Sequence, residues 1–142
     1  MSFLSIDKEN GPFLENLKSQ VYQRRYQAAR QVNKELILLY HHIGSEILRQ
    51  QKEQGWGAKV IDQLSKDLRS EFTEMKGFST RNLKYMRKFA ENYPDSEFVQ
   101  QVAALLPWFH LATIMDRVKD KEYQIFYMEK ATEYRWSRNG DT

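Results

Sequence analysis

The chain has 142 residues, enough for one domain with a core of ordinary size. Its 41% hydrophobic and 29% charged residues exclude a disordered chain, and the net charge of +3 is too small to imply a polyanion partner unless the charges are gathered in one place. The absence of cysteine excludes disulfides, thiolate zinc sites and cysteine nucleophiles and fits a cytoplasmic protein, and no apolar run of about 18 residues offers a membrane span.

Residues 1–12 read as a flexible N-terminal tail ending in Gly11-Pro12. A long helix is expected over residues 13–51. Val32, Leu36, Leu39, Ile43 and Ile47 step by three or four and share one face, which needs a partner within the chain or from a second copy. The first break is Gly55-Trp56-Gly57. It is not a phosphate loop, because no strand precedes it and no Lys-Ser/Thr follows. Val60, Ile61, Leu64, Leu68 and Phe72 mark a second helix, with Gly77 as its ending residue.

Ser79 is a good N-cap for a third helix, which closes before Pro94. At 100° per residue, Leu83, Met86, Phe89, Ala90 and Tyr93 fall on one side of this helix. Arg81, Lys84 and Lys88 fall almost opposite, with Arg87 at the edge and Tyr85 beside them. Between Met75 and Ala90 the chain carries Lys76, Arg81, Lys84, Arg87 and Lys88 and no acid. The second and third helices stand in helix–turn–helix order, with a turn of five or six residues. In that motif the second helix enters the major groove and its early residues reach bases, here Arg81, Asn82, Lys84 and Tyr85. The competing reading is a solvated basic surface that binds nothing.

A short helix capped by Asp95 or Ser96 follows, carrying Phe98, Val99, Val102, Ala103 and Leu106 on its inner side. Pro107 can open the next helix, which carries Trp108, Leu111, Ala112 and Met115. Asp120 caps the last, where Tyr123, Phe126, Tyr127, Tyr134 and Trp136 read as core aromatics and not as stacking platforms. The fold class is all-α: about six helices in one domain spanning residues 13–138, with residues 139–142 as a C-terminal tail.

Four segments, NKELILLYHHIGSEI (33–47), GWGAKVIDQLSKDLRSEF (55–72), KGFSTRNLKYMRKFAENYPD (76–95) and LPWFHLATIMDRVKDKEYQIFYMEKATEYRWSRN (106–139), cover most of the chain. They resemble the N-terminal domain of the YhcG family of bacterial proteins. The most specific elements are GFSxRNLxxMRxFxxxYP and the W-x-H followed later by WSRN. One departure is a histidine, His41 or His42, where members usually carry an aromatic residue. The resemblance implies a helical domain that in full-length members precedes a PD-(D/E)XK nuclease domain and helps bind DNA or assemble the protein.

The chain stops just after WSRN, so the expectation is a module without the nuclease domain and therefore without catalysis. Glu74-Met75-Lys76 and Pro94-Asp95 contain fragments of the nuclease pattern, but in the wrong order and at helix ends. Glu35, His42 and Glu46 share a stripe that resembles a metal set, yet three ligands on one helix rarely converge. His110 reads as a hydrogen-bonded structural residue. No metal or cofactor is expected.

Two functions remain open. The first is a DNA-binding module using Lys76, Arg81, Asn82, Lys84, Tyr85, Arg87 and Lys88. The second is a helical assembly module using Val32, Leu36, Leu39, Ile43 and Ile47, either for a homodimer or to dock a separate nuclease subunit.

Overall fold

A computed structural model describes the backbone of residues 3–140 and the side chains of residues 11–134. The helices are α1 (Phe3–Gln54), α2 (Ala58–Glu71), α3 (Thr80–Asn92), α4 (Ser96–Gln101), α5 (Trp108–Arg117) and α6 (Lys121–Gly140), with a 3-10 turn at Ala103–Leu105. No strand occurs among the described residues, and the all-α reading holds. The chain divides into two units, Met1–Val32 and Asn33–Thr142.

The described backbone of the first unit is a single helical segment. It differs from the expected tail, because α1 begins at Phe3 and runs through Pro12. A proline inside a helix forfeits one backbone hydrogen bond and crowds the preceding turn, at about 3 kcal/mol. That is a local cost, and it does not end the helix, which continues to Gln54. From residue 11 to residue 32 every side chain is exposed except those of Tyr26 and Arg30, which are half-buried. Among its described side chains this unit therefore contains no core.

The second unit holds two hydrophobic clusters. One gathers Ile37 of α1, Phe89 and Tyr93 around α3, and Leu111, Met115 and Met128 of α5 and α6. The other joins Tyr40 and Ile47 of α1 to Ile61, Phe78, Leu83 and Met86. Trp108 packs against both. Its ring meets Tyr40 edge-on at 5.0 Å and Phe89 edge-on at 5.5 Å.

The apolar stripe of α1 thus finds most of its partners inside the chain. Ile47 is buried, and Leu36 and Ile43 pack against the second cluster. Only Val32 and Leu39 of the expected interface set remain exposed. The same spacing that makes a dimer seam also makes a core face.

Two glycines permit close approaches. An added Cβ at Gly44 would lie 2.0 Å from the Met86 carbonyl oxygen, so α1 and α3 cross there backbone against side-chain-free backbone. Gly77 has φ +115°, and a Cβ there would meet the Tyr40 hydroxyl at 2.2 Å. It does not end α2, which stops earlier with Phe72 at its C-cap. Its place is in the connection to α3, which Ser65 fastens by donating its hydroxyl to the Phe78 carbonyl at 2.6 Å.

Buried polar groups are paired. A ring nitrogen of His41 meets the Tyr93 carbonyl at 2.6 Å, and the Asn33 amide donates to the Ala104 and Leu106 carbonyls. The Tyr93 hydroxyl donates to the Gln124 side-chain oxygen, whose amide donates in turn to the Val118 carbonyl. This explains why α6 differs from its expected orientation. Gln124 and Met128 face the core, whereas Tyr123, Phe126, Tyr127 and Tyr134 are exposed. Trp136 lies outside the described side chains. The helix carries its backbone to Gly140, through part of the expected C-terminal tail.

Among the described residues, no single helix is long and apolar enough to cross a membrane. The apolar pair Ser96–Leu105 and Trp108–Arg117 is bent by 106°. Val99, Ala103, Leu111 and Met115 of this pair are core residues.

Burial pushes the Tyr93 hydroxyl up to about 12 and raises that of Tyr40 as well. An unfolded tyrosine ionises near pH 10, so below about pH 10 both states hold the Tyr93 proton. Between about pH 10 and 12 the unfolded state loses it first. Stability is then expected to fall as pH rises, by roughly 2 kcal/mol from Tyr93. Denaturant midpoints at pH 9 and 11 measure this, and Tyr93→Phe should shrink the difference.

Candidate nucleic-acid interface

The site begins at the connection between α2 and α3. Ser79 adopts extended backbone geometry and its hydroxyl accepts from the Asn82 N–H at 3.1 Å, as an N-cap should. The capped helix then buries Leu83, Met86, Phe89 and Ala90. Because the core claims that side, Arg81 and Lys84 are exposed, and Tyr85, Arg87 and Lys88 are half-buried at the flanks. Lys76 is exposed in the connection. The ion pairs among the described residues involve Lys18, Arg49 and Lys130. None engages a cation of α3.

Individual side chains differ in what they can offer a ligand. The Arg81 guanidinium lies over the Tyr85 ring at 5.6 Å and donates to its hydroxyl at 3.3 Å. Such a pair presents a charge and an aromatic face together. Lys88 donates to the Met115 carbonyl at 3.2 Å, in the last turn of α5, so it also serves as a C-terminal partner for that helix.

Asn82 has a structural task. Its side-chain amide donates to the Gly77 carbonyl at 2.7 Å, and its oxygen accepts from the Trp108 indole N–H at 2.7 Å. The residue expected to read adenine thus ties the connection to the tryptophan that packs on both clusters. Sequence spacing does not reveal this, because Trp108 is 26 residues away.

Two grooves flank the cations. One, of about 620 Å³, lies between the start of α3 and α5; Arg81, Asn82, Tyr85, Phe109, Asp116 and Arg117 are among its lining residues. The other, of about 420 Å³, runs along Arg81, Lys84, Tyr85, Arg87, Lys88 and Glu91. Phe109 is 82% exposed on the rim of the first. Phe109 and Arg117 went unnoticed in the sequence, although an aromatic residue off the apolar period of α5 was a usable signal. Asp116 places one negative charge in the same groove and tempers the field of its two arginines.

The remaining candidates separate. Asp95 caps α4, its carboxylate accepting from the Glu97 N–H at 2.9 Å, while Glu74 and Lys76 sit in the α2–α3 connection. Glu46 pairs with Arg49 at 2.6 Å, and this partner holds its carboxyl below the usual range. Among the described residues no group of three or more metal-ligating side chains comes together. His110 is exposed, contrary to the expected structural role, because the buried face of α5 is that of Leu111, Ile114 and Met115.

The fold and site define a small all-α domain that displays a basic helix beside an aromatic-rimmed groove. The chain belongs to the family described as the DUF1016 N-terminal domain, whose model matches residues 16–140. No curated protein and no solved structure matches it.

Proposed function

We propose that this domain is a non-catalytic nucleic-acid-binding module, acting on DNA, with α3 as the contacting helix. The observation that carries the reading is the outer face of α3, whose cations lack carboxylate partners among the described residues and border a groove with an exposed phenylalanine. Arg81, Lys84 and Arg87 are its main contacts, with Lys76 reaching a phosphate from the connection. Tyr85 and Phe109 add aromatic faces. Lys88 contributes charge from the flank, and Asn82 acts by holding the helix start in place.

The order α2–connection–α3 is that of a helix–turn–helix. The connection, residues 72–79, is longer than the three or four residues of the usual motif. Phosphate contact asks only for exposed cations on α3, whereas base reading by Arg81 needs the helix seated in the groove. Any cleavage would come from another domain or subunit.

Fluorescence anisotropy of a labelled random-sequence duplex, titrated at about 50 and 200 mM salt, tests the reading. Four phosphate contacts should give a log–log salt slope near about −3.6, from about −0.9 per contact. An absence of binding at both salts by folded protein would contradict it.

A further inference from the structure

The groove between the start of α3 and α5 carries more than phosphate contact requires. Its volume of about 620 Å³ falls within the roughly 300–1,000 Å³ of pockets that take one small molecule. A space of this size excludes a duplex, whose major groove alone is about 12 Å wide. Phe109, Thr113 and Asp116, spaced by four and three, share one side of α5 and line one wall, with Arg117 next to them. Arg81 and Tyr85 of α3 line the other.

Two of these side chains lack a structural task among the described residues. Phe109 is 82% exposed, and its ring joins none of the aromatic pairs. The Asp116 carboxylate has no ion pair and no hydrogen bond; Lys119 binds only its backbone carbonyl. Asp116 also stands in the last turn of α5, where a negative charge opposes the helix dipole. Neither residue suits a groove built for phosphate alone.

We propose that the groove holds one unpaired nucleotide, guanine in preference to the other bases: the base stacks on Phe109, its Watson–Crick edge meets Asp116, and Arg81 and Arg117 take its phosphate. The inference rests on the reading of α3 as a DNA contact and adds the class of DNA, one with a free base at an end or a gap. Stacking suits an exposed ring because every base has a π-face. The arginines carry the phosphate path of α3 across to α5. Of the four bases, only guanine turns two adjacent N–H donors to a carboxylate, a match for its two oxygens. In a duplex those donors are engaged by cytosine, so Asp116 can read them only when the base is unpaired. A protein partner would ask for a contiguous apolar patch, and here one phenylalanine stands among charges.

Fluorescence anisotropy at about 50 mM salt tests the proposal with one labelled duplex, either blunt or carrying a short overhang that ends in guanine, ends in thymine or lacks its bases. The three overhangs carry equal numbers of phosphates, so they differ only in the bases. The guanine overhang should bind at least about tenfold tighter than the abasic one and at least about fivefold tighter than the thymine one. Phe109→Ala should remove most of the gain over the abasic form. Asp116→Ala should erase the preference for guanine and, by removing a negative charge, tighten binding of the abasic form. Both positions are exposed, so circular-dichroism melts should stay close to wild type. Equal binding of the guanine and abasic overhangs overturns the proposal, while binding of the blunt duplex leaves the reading of α3 standing. No binding of any form overturns both. Equal binding of guanine and thymine, or a preference for guanine that survives Asp116→Ala, also overturns the proposal.

Discussion

Gly44→Ala is expected to destabilise the domain severely, by about 3 kcal/mol or more, and to lower its melting temperature by more than about 10 °C. Two effects compete at this position. Alanine is the better helix former, worth about 1 kcal/mol over glycine in a helix interior. Against that stands a Cβ 2.0 Å from the Met86 carbonyl oxygen, 2.5 Å from its carbonyl carbon and 3.1 Å from the Ala90 Cβ. Two of these atoms are backbone and cannot rotate away. Relief requires α1 and α3 to separate, which would open the packing of Tyr40, Leu83 and Met86 in one cluster and of Ile37 and Phe89 in the other. With a typical domain stability of about 5–15 kcal/mol, such a loss removes from about a fifth to more than half of it. Gly11→Ala is the control, since a Cβ there meets nothing within 4 Å. A thermal melt of the pair separates clash from propensity.

The second large effect concerns binding. Arg81→Glu with Lys84→Glu should weaken DNA affinity at least about 100-fold at about 50 mM salt, equivalent to about 2.7 kcal/mol. Two phosphate contacts are removed and two repulsions take their place. The log–log salt slope should shrink in magnitude by about 1.8, from two contacts at about 0.9 each. Both side chains are exposed, so folding should survive. The stability change is limited to the exposed contact of Arg81 with Tyr85 and is expected to be small. Lys52→Glu with Lys130→Glu changes the net charge equally on α1 and α6. Equal losses from both pairs would point to overall charge and not to α3. Anisotropy titrations accompanied by melts make this comparison.

Of the helices, α3 was the most legible. In α3 a capping serine, a regular apolar period and a following proline agree, and the structure places Ser79, Leu83, Met86, Phe89, Ala90 and Tyr93 as that pattern requires. Asp95 at the head of α4 and Asp120 at the head of α6 are legible for the same reason: a cap is a local event. What was hidden is non-local. Asn82 carries the composition of a base reader and the partners of a structural residue, because Trp108 and Gly77 converge on it only in the folded chain. Gly44 resembles any weak point inside a helix until α3 is laid across it.

The last helix misled for a different reason. Aromatic residues score as core, and a glutamine scores as surface. In α6 the ranking reverses, since Tyr93 and the Val118 carbonyl satisfy Gln124 inside, leaving four aromatic side chains outside. Hydrophobic period alone cannot rank two competing faces of one helix when a buried polar group has its partners. Similarly, Gly11-Pro12 is strong punctuation in a short helix and weak punctuation in one that continues for many turns on its far side.

The central claim is that α3 is where DNA touches this domain, and an amide chemical-shift titration of nitrogen-15-labelled protein with a short duplex tests it most directly. Shifts should concentrate in residues 76–92 and in the first turn of α5 around Phe109, while α6 and residues 11–32 of α1 stay still. Shifts confined to α6 or to residues 11–32, or no shifts at all from a folded protein at low salt, would contradict the account and leave the basic helix as a solvated surface.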